Sequence, residues 1–328
     1  MLEAWESLSP PAESGARNVL LADSGHPLDF RIGQDSRGQY VFLLDADRPA
    51  GGIPKLPKVM GISIELEEPK AGRVRLVLGL QDKADLQIFS HMCAGLMLAT
   101  RSNAATRSSE GFVRTLEELH RWHEMLKRRQ DRRLTRSERI GLVGELLFLR
   151  DELLPRMGLI AGLHAWTGHE RHEQDFVVGS TIFEVKTQVV TADRMISVSS
   201  EDQLDPRQGR ILICNQGIAP APEGAAGSCT LNSIAKELAD LAKATGGGAS
   251  DLLGIGYLGA GYEPHPEYEE ETWTRVDRAL YEVRDDFPRI ERGELRPGVE
   301  QVRYRIRASD CQPYARDIEA TFEELIDG

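Results

Sequence analysis

The stretch Asp175-Phe176-Val177-Val178-Gly179-Ser180-Thr181-Ile182-Phe183-Glu184-Val185-Lys186 decides how this chain reads. Gly179-Ser180 is a two-residue turn signal set between β-branched and aromatic runs. With that turn at the centre of a hairpin, Val178 faces Thr181, Val177 faces Ile182, Phe176 faces Phe183 and Asp175 faces Glu184. A four-residue loop centred on the same pair leaves the outer pairings unchanged. Side chains alternate along a strand, so Glu184 and Lys186 share one face while Phe176, Phe183 and Val185 point the other way, into a core. Carboxylates directly across a strand pair stand ~5 Å apart at Cβ, and like charges there destabilise a sheet. Two acids and an amine gathered on one face therefore predict a bound partner, and a divalent cation is the simplest one that relieves the repulsion. The plainer alternative is a solvated polar face of an antiparallel pair.

An acid, a spacer, then acid–any–lysine on the next strand resembles the signature of the PD-(D/E)XK nuclease superfamily. Asp175 stands at the first acid, Glu184 at the second and Lys186 at the lysine, with Gln174 in place of the family's proline. Upstream, Glu145 lies in the apolar helical run Gly144-Glu145-Leu146-Leu147-Phe148-Leu149, where the superfamily often places a further metal-binding glutamate. The order of that helix, Trp166-Thr167-Gly168, the hairpin, Ser199-Ser200 and Asp285-Asp286-Phe287-Pro288 is similar to bacterial PD-(D/E)XK motif proteins encoded beside restriction-modification genes.

This resemblance implies an α/β fold: a restriction-endonuclease-like mixed sheet flanked by helices. It implies metal-dependent phosphodiester hydrolysis of DNA in restriction or phage defence, leaving a 5′-phosphate and a 3′-hydroxyl. Mg²⁺ or Mn²⁺ would be held by Asp175, Glu184, the Val185 carbonyl and Glu145, with Lys186 orienting the attacking water or stabilising the transition state. Restriction nucleases often act as dimers, which implies a homo-oligomer. Two other readings stand beside this one. One is a nuclease-like binding or scaffold subunit of a multi-protein defence complex; the other is a nuclease for RNA or branched DNA.

Glu145 is ambiguous by helical geometry, because it falls near Glu138 and Glu152 and all three could face solvent. Gln188 shares the face of Lys186, and Ser199 and Ser200 end a following strand; all three are candidates for substrate contact, with turn capping the alternative for the serines. Residues 121–139 hold eight basic side chains against three acids, and residues 263–294 hold eleven acids against five arginines. The basic segment, with Arg132, Arg136 and Arg139 leading into the helix of Glu145, suits a phosphate-tracking groove or a solvated helix face equally well.

The 328 residues carry a formal net charge of -12, with 41% hydrophobic and 28% charged side chains, which is ordinary for a globular protein. No apolar run approaches a membrane span, the first residues lack the pattern of a signal peptide, and the scattered cysteines Cys93, Cys214, Cys229 and Cys311 show neither a disulfide framework nor a zinc site. A cytoplasmic location is the default expectation.

The chain divides by pattern into a β-rich module with one helix over 1–105 and a nuclease-like domain with a C-terminal extension over 106–328. Alternating runs at 28–32, 39–44, 61–66 and 73–78 predict strands, and the helical period at 84–99 predicts the helix. The polar stretch 101–109 marks the boundary. A basic helix follows at about 110–130. Thr135 and Glu138 form a capping-box signal for a helix running to about Leu154, before Pro155. Residues 195–200 and 211–214 read as core strands, 231–243 as an amphipathic helix, 299–306 as a strand, and the segment from Tyr314 as a closing helix. Gly254-x-Gly256-x-x-Gly259 matches a dinucleotide fingerprint by letter, but the following Pro264 and Pro266 deny it a helix, so a glycine-rich loop is expected. His164, His169 and His172 fit no zinc spacing and read as loop histidines.

Overall fold

Alternation of apolar and polar residues builds the first half of the chain. The computed structural model describes residues 1–102, 107–129, 133–167, 174–190, 194–205, 209–284 and 286–327. These fall into two compact units, Met1–Arg132 and Arg133–Gly328. The basic helix thus groups with the first unit, whereas the sequence expectation put it with the second.

In the first unit, a short helix α1 (Leu2–Glu6) precedes strands β1 (Arg17–Leu21), β2 (Asp29–Asp35), β3 (Tyr40–Asp47), β4 (Ile62–Glu67) and β5 (Arg73–Leu80). They form an antiparallel sheet ordered β1-β2-β3-β5-β4. Trp5, Phe30, Phe42 and Phe89 are fully buried together, with Phe30 and Phe42 stacked at 5.1 Å. Helices α2 (Leu86–Thr100) and α3 (Ser108–Arg129) pack closely because Gly95 lacks a Cβ, which would lie 2.8 Å from Trp122 Cζ2.

The second unit opens with α4 (Arg136–Phe148), whose N-terminus carries the predicted capping box: Thr135 and Glu138 satisfy each other's backbone groups. The helix continues through a π-turn over Leu149–Leu153 into α5 (Leu154–Met157), and α6 (Leu159–Ala165) follows. Next come β6 (Phe176–Val178), β7 (Thr181–Val189), β8 (Met195–Val198), β9 (Arg210–Pro220), β10 (Ser228–Cys229), α7 (Leu231–Thr245) and α8 (Ala249–Gly259). The chain ends with β11 (Trp273–Val283), β12 (Tyr304–Arg307), β13 (Ala315–Arg316) and α9 (Ile318–Asp327). The main sheet runs β10-β11-β9-β7-β6, with β13 on β11, and a separate two-stranded ribbon pairs β12 with β8. β7 and β9 are parallel and the other pairs antiparallel, so the α/β class with a mixed sheet is as expected.

Two cores lie on opposite faces of this sheet. Phe183, Val185, Leu212, Cys214 and Leu280 join the helices on one face, where Phe183 stacks on Phe322 at 5.2 Å. Ile182, Ile211, Ile213 and Tyr281 point to the other face, where Ile196, Val198 and Ile306 of the ribbon cover them. The ribbon and the loop segments around it, rather than a helix, form this second cover. β7 therefore places Glu184 and Lys186 on the ribbon side, continuing the row that Ile182 begins.

Three sequence expectations are corrected here. Residues 254–259 form the end of α8 rather than a loop, because Gly256 lets the helix approach Trp166; a Cβ there would lie 2.4 Å from Cζ3. The strand expected over 299–306 is confined to Tyr304–Arg307, and Met195–Val198 joins that ribbon instead of the main sheet. The long strand β11 lies within the acidic segment, where alternating charges masked its apolar residues. All four cysteines are free and buried. Among the described residues no helix is long and apolar enough to cross a membrane.

Candidate active site

The hairpin has the register that its residues dictate. Phe176 pairs with Phe183, Val177 with Ile182 and Val178 with Thr181, and Gly179 adopts a left-handed φ of 60° in the two-residue turn. Asp175 immediately precedes β6 and so stands across from Glu184. Its Oδ2 accepts a 2.7 Å hydrogen bond from the Val185 N–H, which fixes the carboxyl at the end of the shorter strand. Because N–H and C=O of one strand residue leave on the same side, the Val185 carbonyl shares that edge.

Glu184 is 1% exposed. Lys186 Nζ donates to its Oε1 at 2.7 Å, and Gln203 Nε2 donates to the same oxygen. Glu184 Oε2 is buried with no hydrogen-bond partner. Gln203 Oε1 in turn accepts from Lys186 Nζ at 3.1 Å and from the Ser199 N–H at 2.9 Å. Gln203 is thus a positioning residue that sequence reading missed. It lies in a turn after β8 with no spacing signal linking it to Lys186.

Glu145 comes from α4, on the helical side of the sheet, and accepts a 2.8 Å hydrogen bond from Trp166 Nε1. It is not one of three solvent-facing acids: Glu152 is buried among Arg156, Arg275 and Arg278, while Glu145 is half-buried and held by the Trp166 indole.

The electrostatics follow from burial. Desolvation, then the charge of Asp175, pushes the Glu145 carboxyl up to about 8. Desolvation also raises Asp175, against the pull of Lys186 and the Val185 hydrogen bond, and raises Glu184 well above the usual carboxylate range, with Asp175 adding to the effect. All three carboxyls are thus pushed toward their neutral forms, and a cation placed beside them would oppose that push.

This has a measurable consequence. A folded-state pKa above the unfolded value favours the native state at low pH, and that contribution fades as pH rises through the folded value. Metal-free protein is expected to lose stability between the ordinary glutamate value of 4.5 and about 8. Glu145→Gln, which can still accept from Trp166, should flatten that decline, seen as thermal midpoint against pH in EDTA. A slope identical to the wild type would exclude Glu145 as the source.

Among the described residues no group of three or more His, Cys, Asp or Glu stands close enough together to hold a metal ion. The donors present nevertheless fit a hard cation that keeps part of its water shell. Such an ion takes one or two carboxylates and leaves its other positions to water and phosphate, as Mg²⁺ does. The unpartnered Glu184 Oε2 beside Asp175 is an oxygen of the required kind.

The remaining candidates are dispersed. Gln188 Nε2 donates to Asn215 Oδ1 at 3.0 Å and its Oε1 accepts from the Met195 N–H at 3.2 Å, so it ties β8 to the sheet. Ser199 caps the Gln203 amide and Ser200 lies half-buried in the adjoining turn. Arg136 pairs with Glu271 at 2.6 Å and lies over the Trp273 ring. Arg139 pairs with Glu267 at 2.8 Å and Glu271 at 3.1 Å. The acidic segment thereby neutralises this part of the basic one. Arg132, His169, His172, Gly168 and Asp285 lie outside the described residues, and His164 is exposed on α6.

A mixed sheet whose hairpin presents acid, acid and lysine in this order defines a protein of the PD-(D/E)XK type. Over residues 1–309 the chain matches the family described as "Putative PD-(D/E)XK family member, (DUF4420)", and it belongs to that family. No curated protein and no solved structure matches it.

Proposed function

We propose that this protein hydrolyses phosphodiester bonds of DNA with Mg²⁺ or Mn²⁺, in restriction or phage defence. The observation that carries the reading is the apposition of Asp175 and Glu184 at the hairpin end with Lys186 on Glu184. Desolvation and repulsion both oppose gathering this acid pair, and a bound cation would relieve them.

Asp175 and Glu184 would hold the ion, with the Val185 carbonyl and Glu145 assisting. A divalent cation supplies charge neutralisation at the phosphate and a lowered pKa for its water. Lys186 donates to Glu184 Oε1. Once the carboxylates are otherwise compensated, its ammonium can hold the attacking water or a non-bridging phosphate oxygen. Gln203 keeps both side chains in line through its two amide ends. Water oxygen bonds to phosphorus, the bridging 3′-oxygen leaves and takes up a proton, and the products are a 5′-phosphate and a 3′-hydroxyl.

The formal net charge of -12 favours a second element of the reading: action with partner subunits, or as a homo-oligomer, since a lone DNA-binding protein is usually more basic. The test incubates the purified chain with plasmid and with RNA, in Mg²⁺ or Mn²⁺, beside Lys186→Ala. Metal-dependent DNA cleavage lost in the variant is expected. Cleavage undiminished by the substitution would remove the mechanism. RNA-only cleavage would replace the substrate, and activity appearing only with neighbouring gene products would favour the partner-dependent scaffold.

A further inference from the structure

The ribbon that covers the second core has an outer face as ordered as its inner one. Tyr304 pairs with Val198, Arg305 with Ser197, Ile306 with Ile196 and Arg307 with Met195. Ile196, Val198 and Ile306 are buried, so the alternation turns Ser197, Arg305 and Arg307 outward, and all three are exposed. Arg303, also exposed, falls across from Ser199 when the register is extended by one pair.

Three arginines at every second position stand about 7 Å apart along the strand. Among the described residues their guanidinium groups have no ion-pair or hydrogen-bond partner. In a chain with twelve more acids than bases, Arg133, Arg136, Arg139, Arg194, Arg275 and Arg278 are by contrast paired with carboxylates. Acids beside the row are already engaged: Asp202 by Arg292, and Glu201 by the Val302 N–H at 2.8 Å and by Arg292 at 3.6 Å. Glu300 and Asp310, both exposed, bracket the row in sequence.

The ribbon is tied to the candidate site at one end through Ser199. Ser199, opposite Arg303, donates its N–H to Gln203 Oε1, and the same side chain holds Lys186 and Glu184.

We propose that Arg303, Arg305 and Arg307 on the outer face of this ribbon grip the sugar–phosphate backbone of DNA that this protein binds. This rests on the hydrolase reading for its substrate, but its test does not depend on cleavage. Evenly spaced planar guanidiniums on a rigid strand suit a chain of phosphates, and neutralising each phosphate releases condensed counterions.

The experiment measures binding of the full chain to a fluorescently labelled DNA duplex by anisotropy, in EDTA, across a salt series. Three phosphate contacts contribute about 2.7 to the slope of log affinity against log salt. The triple variant Arg303→Ala/Arg305→Ala/Arg307→Ala should be shallower by about that much. Between about 50 and 200 mM salt the wild type should lose about 40-fold more affinity than the variant does. The matching triple arginine-to-lysine variant should keep the steep slope, and the exposed positions should leave the thermal midpoint unchanged. An unchanged slope in the alanine variant, or no binding of DNA by the wild type at low salt, overturns the proposal. A ribbon-dependent slope without cleavage in any metal, alone or with neighbouring gene products, would support the ribbon and sink the hydrolase reading. Metal-dependent cleavage with an unchanged slope would do the reverse.

Discussion

Asp175→Asn and Glu184→Gln are each expected to lower metal-dependent DNA cleavage by about 10³-fold or more, while leaving the metal-free fold as stable as the wild type or slightly more so. The first half follows from charge. A neutral amide keeps the shape of the carboxyl but gives up the negative oxygen that a hard cation requires, and losses of about 10²–10³ accompany removal of even one neutral transition-state donor. The second half follows from the same charge in the absence of metal. Both carboxyls are raised by desolvation, with Asp175 adding to the burden on Glu184. Their ionisation therefore works against the fold increasingly as pH rises.

In EDTA at alkaline pH each amide variant should match or exceed the wild-type thermal midpoint, by about 2–4 °C per kcal/mol of relieved repulsion. The advantage should shrink toward acid pH, where the wild-type carboxyls are protonated. In Asp175→Asn the side-chain amide oxygen can still accept from the Val185 N–H, so the hairpin end keeps its hydrogen bond. Scanning calorimetry decides this: a clear fall in metal-free midpoint for both variants would mean that the acids stabilise the fold themselves, and the case for an ion between them would go.

Gly144→Ala carries the other large effect. α4 crosses β7 at this residue, and an added Cβ would lie 1.6 Å from Thr187 Oγ1, 2.6 Å from its Cβ and 3.0 Å from its Cγ2. The helix cannot easily retreat, because the Gly144 carbonyl accepts a 2.9 Å hydrogen bond from buried Gln216. Alanine favours a helix over glycine by about 1 kcal/mol, but overpacking typically costs about 1–3 kcal/mol and a contact this short lies at or beyond the upper end. A net destabilisation of roughly 2 kcal/mol is expected, or about 4–8 °C in thermal midpoint.

Glu145 is the next residue, so any displacement of α4 also moves a candidate site carboxyl. Thr187→Ala in the same chain should recover only part of the loss, since its Cβ still lies within 2.6 Å of the new methyl. A midpoint for Gly144→Ala equal to the wild type would show that helix and strand have room to part.

Much of the site was legible because its parts are local. Gly179-Ser180, the flanking apolar alternation and the acids at the hairpin ends lie within twelve residues, so turn chemistry and strand period fix which side chains share a face. The capping box of α4 is local in the same way, and both have the expected form.

Gln203 had no comparable signal. Its amide reaches Glu184 and Lys186 only because β8 leaves the main sheet to pair with β12, a partner more than a hundred residues away in sequence. The basic segment was readable as a charge run, but not as one that Glu267 and Glu271 neutralise. Helix α8 was hidden by its glycines, which look like loop residues until Trp166 supplies a surface that only a glycine can approach.

By itself, then, the sequence determined the hairpin, its register and the acid–acid–lysine face, because these follow from backbone period and turn geometry over a few residues. The tertiary structure alone decided which arginines are left unpaired, which amide supports the lysine and which indole holds Glu145. Those outcomes depend on desolvation and on partners brought together from distant strands, and no local preference encodes either.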